Sequence, residues 1–241
     1  MKKKKMLYEG KAKKVYATED PNLVIQHFKD DATAFDGKKK GQILGKGEIN
    51  NQLSALLFIT LKEFGVPTHF VELLSPRDML VKKLDIVPIE VIVRNIAAGS
   101  LAKRLGLEEG VRMKKTVLEF CYKSDELHDP IINSYHIAAM GLTTPARLDK
   151  IKEYSFEVNK VLKKFYKRVN IDIVDFKLEF GMHKGRLLLG DEISPDTCRL
   201  WDSKTKDKLD KDRFRRDMGG VEDAYQEVWR RVEKVMHKKL K

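Results

Sequence analysis

The densest chemistry in the sequence lies in Ile173-Val174-Asp175-Phe176-Lys177-Leu178-Glu179-Phe180. Successive side chains of a strand point to opposite faces. Alternation therefore puts Val174, Phe176, Leu178 and Phe180 on an apolar face and Asp175, Lys177 and Glu179 on the other. Gly190-Asp191-Glu192 follows on the far side of a hairpin, which sets Asp191 within a residue or two of the position opposite Glu179. Two carboxylates that close repel unless positive charge stands between them. Mg²⁺, a hard cation held by one or two carboxylates together with phosphate oxygens, meets that need. The competing reading is a solvated strand whose i,i+2 charges screen one another.

Other segments suit phosphate. In Glu90-Val91-Ile92-Val93-Arg94-Asn95-Ile96-Ala97-Ala98-Gly99-Ser100 a strand delivers Arg94, and small residues then open a helix. Backbone N–H groups at a helix start, a Ser hydroxyl and a guanidinium can converge on one phosphate. The alternative has Ser100 as a cap and Arg94 paired to Glu90. Glu9-Gly10-Lys11-Ala12-Lys13 places a glycine and two lysines in a tight strand–loop–strand, where Lys11 and Lys13 share a side and can reach polyphosphate. Val81-Lys82-Lys83-Leu84-Asp85 sets two lysines in an otherwise apolar strand, one expected toward a cleft and one toward solvent. The loops at His128-Asp129-Pro130 and 194–202 have the polar, anchored character of binding loops. Cys198 has Arg199 beside it but no neighbouring His, which argues against a thiolate nucleophile.

These groups must be positioned by a mixed set of elements. A hairpin is expected over 6–18, a strand over 23–28 and a helix over 45–64, with Ile49, Leu53, Leu56, Leu57, Leu61 and Phe64 on one face. Gly65-Val66-Pro67 ends that helix. Strands follow at 69–74, 79–84 and 89–93, the first two an antiparallel pair turning at 75–78. A helix is expected over 97–105, a strand over 117–122 and an irregular segment over 124–134. Thr144 caps and Pro145 opens a long helix with a stripe of Leu148, Ile151, Ser155, Val158, Leu162, Phe165, Tyr166 and Val169. A hairpin pairs 171–180 with 186–193 across 181–185, and a polar stretch at 194–212 leads to a terminal helix carrying Val221, Ala224, Tyr225, Val228, Val232, Val235 and Met236. Strands and helices mix without a regular βαβ alternation, so the fold class is α+β rather than doubly wound. Neither GxGxxG nor a Walker-type GxxxxGK[ST] is present.

The 241 residues allow one large domain or two small ones around a cleft. Net charge is +12, but nine of those charges sit in residues 2–5 and 230–241, which argues against a folded nucleic-acid groove. No apolar run approaches the ~18 residues a membrane span needs, and the basic start leads into no apolar signal segment. Two cysteines, Cys121 and Cys198, exclude a CxxC metal site, argue against a disulfide framework and point to the reducing cytoplasm.

The segments Leu7–Lys13, Pro88–Arg94 with Ala98-Gly99-Ser100, Val174–Phe180, and Asp191-Glu192 through Trp201-Asp202 resemble the SAICAR synthetase (phosphoribosylaminoimidazole-succinocarboxamide synthase) family over nearly the whole chain. The resemblance implies an ATP-dependent ligase of purine biosynthesis that joins L-aspartate to the carboxylate of carboxyaminoimidazole ribonucleotide, with ATP and Mg²⁺ as cofactors. It implies a two-lobed fold related to ATP-grasp and kinase-like enzymes: an antiparallel N-terminal lobe for ATP over residues 1–85, and a larger α+β lobe for substrate and metal over 86–241. Gly10, Lys11, Ala12 and Lys13 would then contact ATP phosphates, and Val81, Lys83 and Ile86 would border the adenine. Glu179 and Asp191 would hold Mg²⁺. Arg94, Gly99, Ser100 and Arg199 would grip the ribonucleotide phosphate, with Asp175 and Lys177 lining the substrate side. Lys11, Lys13, Asp175 and Lys177 would carry the catalysis. Asp36, Lys123, His128 and Asp129 are the candidates for L-aspartate. The family also implies a homodimer or larger homo-oligomer, with no nucleic-acid or membrane partner. A kinase-like phosphotransferase would use the same lysines and carboxylates, but the chain lacks HRD-type and DFG motifs.

Overall fold

The computed structural model describes residues 1–34 and 37–239, with side chains as far as Lys234. Its elements run β1 (Met6–Glu9), β2 (Lys13–Ala17), β3 (Leu23–Phe28), β4 (Asp31–Ala34), β5 (Lys39–Gln42), α1 (Lys46–Glu63), β6 (Phe70–Ser75), β7 (Asp78–Lys82) and β8 (Asp85–Ile96). Then come α2 (Gly99–Leu105), β9 (Arg112–Tyr122), a 3₁₀ turn (Asp125–Leu127), β10 (Ile131–Ile132), α3 (Ser134–Ala139) and α4 (Pro145–Lys167). β11 (Ile171–His183), β12 (Arg186–Leu189), β13 (Cys198–Asp202), α5 (Asp212–Arg215) and α6 (Val221–Lys239) complete the chain.

Two sheets dominate. The first has the order β1-β2-β3-β7-β6. The second runs β10-β9-β8-β11-β12, with β13 pairing the first half of β11. Every strand pair in both is antiparallel, as the α+β reading expects. α1 packs on the first sheet and α4 on the second, and α6 returns across the molecule to lie on α1. The sheets meet where His69 N donates to Leu189 O at 2.9 Å and Leu189 N donates to Pro67 O at 2.9 Å. One apolar core, from Val24 and Phe28 through Leu57, Phe176 and Leu178 to Val228, joins both sheets.

Most local expectations hold. The first hairpin, the 75–78 turn and α1 lie where the pattern puts them, and Arg147 N donates to Thr144 Oγ1 at 3.3 Å to cap α4. Other expectations are corrected. The turn after β11 is tighter than 181–185: Lys184 and Gly185 both take positive φ and join His183 to Arg186, as a two-residue hairpin requires. β12 stops at Leu189, so Asp191 and Glu192 sit in a loop. The stretch at 194–212 contains β13, and α2 starts at Gly99 with Ala98 as its N-cap, so Ser100 is no cap. The β4–β5 hairpin was unforeseen, because its short strands carry little apolar alternation.

One register correction reaches the site. Against β13, β11 shifts register between Ile173 and Asp175, and such a bulge reverses strand phase. Ile171 and Ile173 therefore join Phe176, Leu178 and Phe180 in the main core. Val174, read as part of that face, packs instead with Ile96, Ala98 and Trp201.

Candidate active site

A cleft of about 1050 Å³ opens between the two sheets. Its floor is the free face of the second sheet. Register sets Arg94 of β8 opposite Asp175 of β11, Ile92 opposite Lys177, and Glu90 opposite Glu179. These charged side chains are not a solvated face: Asp175 is 3% exposed and Glu179 6%. The opposite wall comes from β2, β3 and the β1–β2 loop, and the β7–β8 connection closes one end.

Two charge networks occupy the floor. In the first, Lys177 Nζ donates to Glu90 Oε1 at 2.6 Å and Glu179 Oε1 at 2.7 Å, and stands 4.0 Å from Asp191 Oδ2. Lys123 Nζ donates to the same Glu179 oxygen at 2.9 Å. From the facing sheet, Lys13 Nζ reaches Asp191 Oδ1 and lies 3.1 Å from Glu192 Oε1. Burial opposes a charge on Lys13, yet Asp191 and Glu192 overcome it and hold the ammonium above the ordinary lysine range. Burial likewise opposes the Asp191 carboxylate, and Lys13 and Lys177 hold it well below the usual carboxylate range. Lys177 is raised in the same way, against burial, chiefly by Glu179 and then Asp191. For Glu90 burial wins over Lys177, and its carboxyl rises.

In the second network Arg94 donates to Glu119 Oε2 at 2.6 Å, Asp175 Oδ2 at 2.9 Å and Ser100 Oγ at 3.1 Å. Arg199 donates to Asp175 Oδ2 at 2.8 Å and Asp212 Oδ2 at 2.8 Å. Asp175 thus orients two guanidiniums at once. The expected alternative, Arg94 on Glu90, is not what forms: Glu90 belongs to Lys177. Gly99 has φ +52°, and a Cβ there would stand 2.5 Å from Arg199 Nη2, so only glycine lets the guanidinium lie over the start of α2.

Of the residues expected from sequence, Gly10, Lys11, Ala12, Lys13, Val81, Lys83, Ile86, Arg94, Ser100, Lys123, Asp129, Asp175, Lys177, Glu179, Asp191 and Arg199 line this cleft. Lys82 lines it too, against the expectation that only one of the two lysines faces inward. Lys11 crosses to Asp125 Oδ1 at 2.7 Å. His128 is exposed and does not line the cleft, and Asp36 lies outside the described residues. Cys198 is buried, and burial pushes its thiol far up, away from nucleophilic use. Sequence reasoning singled out the segments of Glu192 and Asp196 without giving either residue a role, and it missed His69, Lys211 and Arg215; all five line the cleft. The charge-dense run 210–216 after Leu209 was the one available signal for the last two. Among the described residues no group of three or more His, Cys, Asp or Glu side chains is arranged to hold a metal.

The family model for SAICAR synthetase matches residues 6–232. A phosphoribosylaminoimidazole-succinocarboxamide synthase of Coprothermobacter proteolyticus is 59% identical over 233 residues, covering 96% of this chain and 99% of that protein. Among solved structures, the Ehrlichia chaffeensis phosphoribosylaminoimidazole-succinocarboxamide synthase superposes with a TM-score of 0.93 at 47% identity, covering 95% of this chain and 98% of the other. A SAICAR synthetase in complex with ADP superposes at 0.91 with 50% identity, covering 93% and 96%.

Proposed function

The chain belongs to the SAICAR synthetase family, and from that membership we propose how its cleft performs the family's reaction. That reaction joins L-aspartate to the carboxylate of carboxyaminoimidazole ribonucleotide at the expense of ATP, giving SAICAR, ADP and phosphate. The observation that carries the assignment of residues is Lys13, which leaves the first sheet to meet Asp191 and Glu192 across the cleft.

ATP lies against the first sheet, residues 1–85. Gly10, Lys11, Ala12 and Lys13 take its phosphates, and Val81, Lys83 and Ile86 border its base. Substrate and metal belong to residues 86–241. Glu179 and Asp191 are hard oxygen donors whose charge is balanced here by lysine ammoniums, a donor set that suits Mg²⁺ completed by phosphate oxygens and water. Bound there, Mg²⁺ would supply neutralisation of phosphate charge. Arg94, Ser100 and Arg199 hold the ribonucleotide phosphate, Gly99 leaves the space they need, and Asp175 aims both guanidiniums. L-aspartate enters from the Lys123, His128 and Asp129 side.

A carboxylate is a poor acyl donor, because an attacking amine would have to expel oxide. Its oxygen attacks the γ-phosphorus, the bond to ADP breaks, and an acyl phosphate forms. The aspartate amine then adds to the acyl carbon, the carbon–oxygen bond to phosphate breaks, and the amine gives up a proton as the amide forms. Such phosphoryl transfer needs positioning and charge neutralisation rather than a protein nucleophile. Lys13 and Lys177, held as ammoniums by their carboxylates, act as fixed positive charge and not as bases.

The cytoplasm and a homo-oligomer belong to the same reading. The first is supported by two free, buried cysteines. The test is ADP release with Mg²⁺, ATP, the ribonucleotide and L-aspartate, omitting each in turn, with the product identified by mass. Strict dependence on all three substrates is expected. ADP release indifferent to L-aspartate would instead support a phosphotransferase.

A further inference from the structure

Arg94 and Arg199 are gripped in the same way, nitrogen by nitrogen. Each gives Nη1 to the shared carboxylate of Asp175, Arg94 at 2.9 Å and Arg199 at 2.8 Å. Each gives Nε to a carboxylate of its own: Arg94 to Glu119 Oε2 at 2.6 Å, and Arg199 to Asp212 Oδ2 at 2.8 Å. Outer arginines anchor those two carboxylates in turn. Arg104 of α2 donates to Glu119 Oε1, and Arg215 donates to Asp212 Oδ1 at 2.5 Å. A planar guanidinium clamped at both Nε and Nη1 cannot turn, so the direction of its Nη2 is fixed. The two Nη2 atoms lie at one place. Arg94 Nη2 donates to Ser100 Oγ at 3.1 Å, and Arg199 Nη2 stands 2.5 Å from where a Cβ on Gly99 would be.

Glu119 and Asp212 work from outside the cleft. Arg94, Ser100, Asp175 and Arg199 line it, and these two carboxylates do not. Their side chains are only 12% and 2% exposed. What either does for a ligand therefore passes through its arginine. Register explains the reach of Glu119: Arg94 of β8 faces Val117 of β9, and Glu119, two residues on, takes the diagonal position on the same face, which long side chains can span. Asp212 is the first residue of α5.

We infer that Glu119 and Asp212 are positioning residues, a matched pair that holds the Nη2 edges of Arg94 and Arg199 on one phosphate beside Ser100. The inference rests on the reading of these two arginines as the holders of the ribonucleotide phosphate. Two accounts of Glu119 differ in sign. As negative charge near a bound anion it would oppose the phosphate, and removing it would tighten binding. As a clamp it favours the phosphate, and removing it loosens binding.

The test measures kcat, each KM and the calorimetric Kd of the ribonucleotide in Glu119→Ala, Glu119→Gln and Arg104→Ala. Glu119→Ala should raise KM and Kd for the ribonucleotide by about tenfold, with kcat and the KM for ATP near wild type. Glu119→Gln, whose amide oxygen still accepts from Nε, should keep most of the affinity. Arg104→Ala, which breaks only the half-exposed outer bond, should shift Kd by less than about threefold. Added to Arg94→Ala, Glu119→Ala should change Kd by less than about twofold, because no guanidinium is left there to aim; added to Arg199→Ala it should keep its full effect. Asp212→Ala should raise the same KM through Arg199. Equal or tighter ribonucleotide binding in Glu119→Ala overturns the inference, as does a Glu119→Gln no better than Glu119→Ala. An Arg104→Ala as weak as Glu119→Ala also overturns it, since Glu119 would then only pin α2. Should Arg94→Ala and Arg199→Ala leave ribonucleotide affinity intact, the phosphate reading falls and the inference with it. Should those two weaken binding while Glu119→Ala does not, the inference alone falls.

Discussion

Lys13 and Asp191 each hold the other's charge against burial, so removing one charge leaves the other buried without its chief partner. Asp191→Asn keeps shape and removes charge, so Mg·ATP-dependent turnover should fall by about 10²-fold or more while circular dichroism stays native; near-wild-type steady-state rates would refute the role. Gly99→Ala acts elsewhere. Its Cβ would intrude on Arg199 from a left-handed backbone position, so KM for the ribonucleotide should rise by about tenfold or more with ADP affinity unmoved. At this scale much of the site was legible. The alternation of Asp175, Lys177 and Glu179 and the hairpin bringing Asp191 near Glu179 need only a period of two. The partners were not. Nothing local to Arg94 tells that Asp175 and Glu119 flank it rather than Glu90, because that choice depends on the register of β8 between β9 and β11. The bulge that moves Val174 from the main core to the smaller cluster with Ile96, Ala98 and Trp201 was equally hidden, since it arises from pairing with β13, a strand embedded in a polar stretch.

Among the elements, α1, the loop after β12 and α6 are clasped by one buried carboxylate. Asp196 Oδ2 accepts from Lys46 Nζ at 3.0 Å, and its Oδ1 accepts from Tyr225 OH at 2.6 Å. Burial works against this carboxylate, but Lys211 and Lys46 hold it well below the usual range. Asp196→Asn would leave the fully buried Lys46 ammonium uncompensated and should cost about 3–5 kcal/mol in urea unfolding at pH 7. The sign with pH follows. A depressed carboxyl contributes stability that is present above its unfolded pKa of roughly 4 and is lost as pH falls toward the folded value. The gap between wild type and Asp196→Asn should therefore narrow at about pH 3, and a gap independent of pH would show that Asp196 is not held as a carboxylate. The helices themselves were readable from their stripes and from Thr144, Pro145 and Gly65. That α6 lands on α1, with Tyr225 among Ala32, Ile43 and Ile49, was not, because a stripe names a buried face without naming what buries it.

For the whole molecule, the excess of basic residues proves a poor guide to function. Part of the tail charge is tied to the body, with Lys3 on Asp78 at 2.6 Å and Arg231 on Asp202 at 2.7 Å, while the working lysines and arginines are each matched by carboxylates in the cleft. Composition and element order were enough for an α+β chain folded around a cleft, and the motif resemblance supplied the reaction. The closing of the first sheet onto the second through Pro67, His69 and Leu189 could be seen only in three dimensions. What matters most is the proposed division of one cleft between two ligands: we propose ATP with Mg²⁺ on Lys13, Glu179 and Asp191, and the ribonucleotide phosphate on Arg94, Ser100 and Arg199. Calorimetric titration of Glu179→Gln and Arg94→Ala, each with Mg·ADP and with the ribonucleotide, tests this directly. Glu179→Gln should weaken Mg·ADP by about tenfold or more and spare the ribonucleotide, and Arg94→Ala should do the reverse. Both variants weakening both ligands alike, or the two effects exchanged, would contradict the division of the cleft.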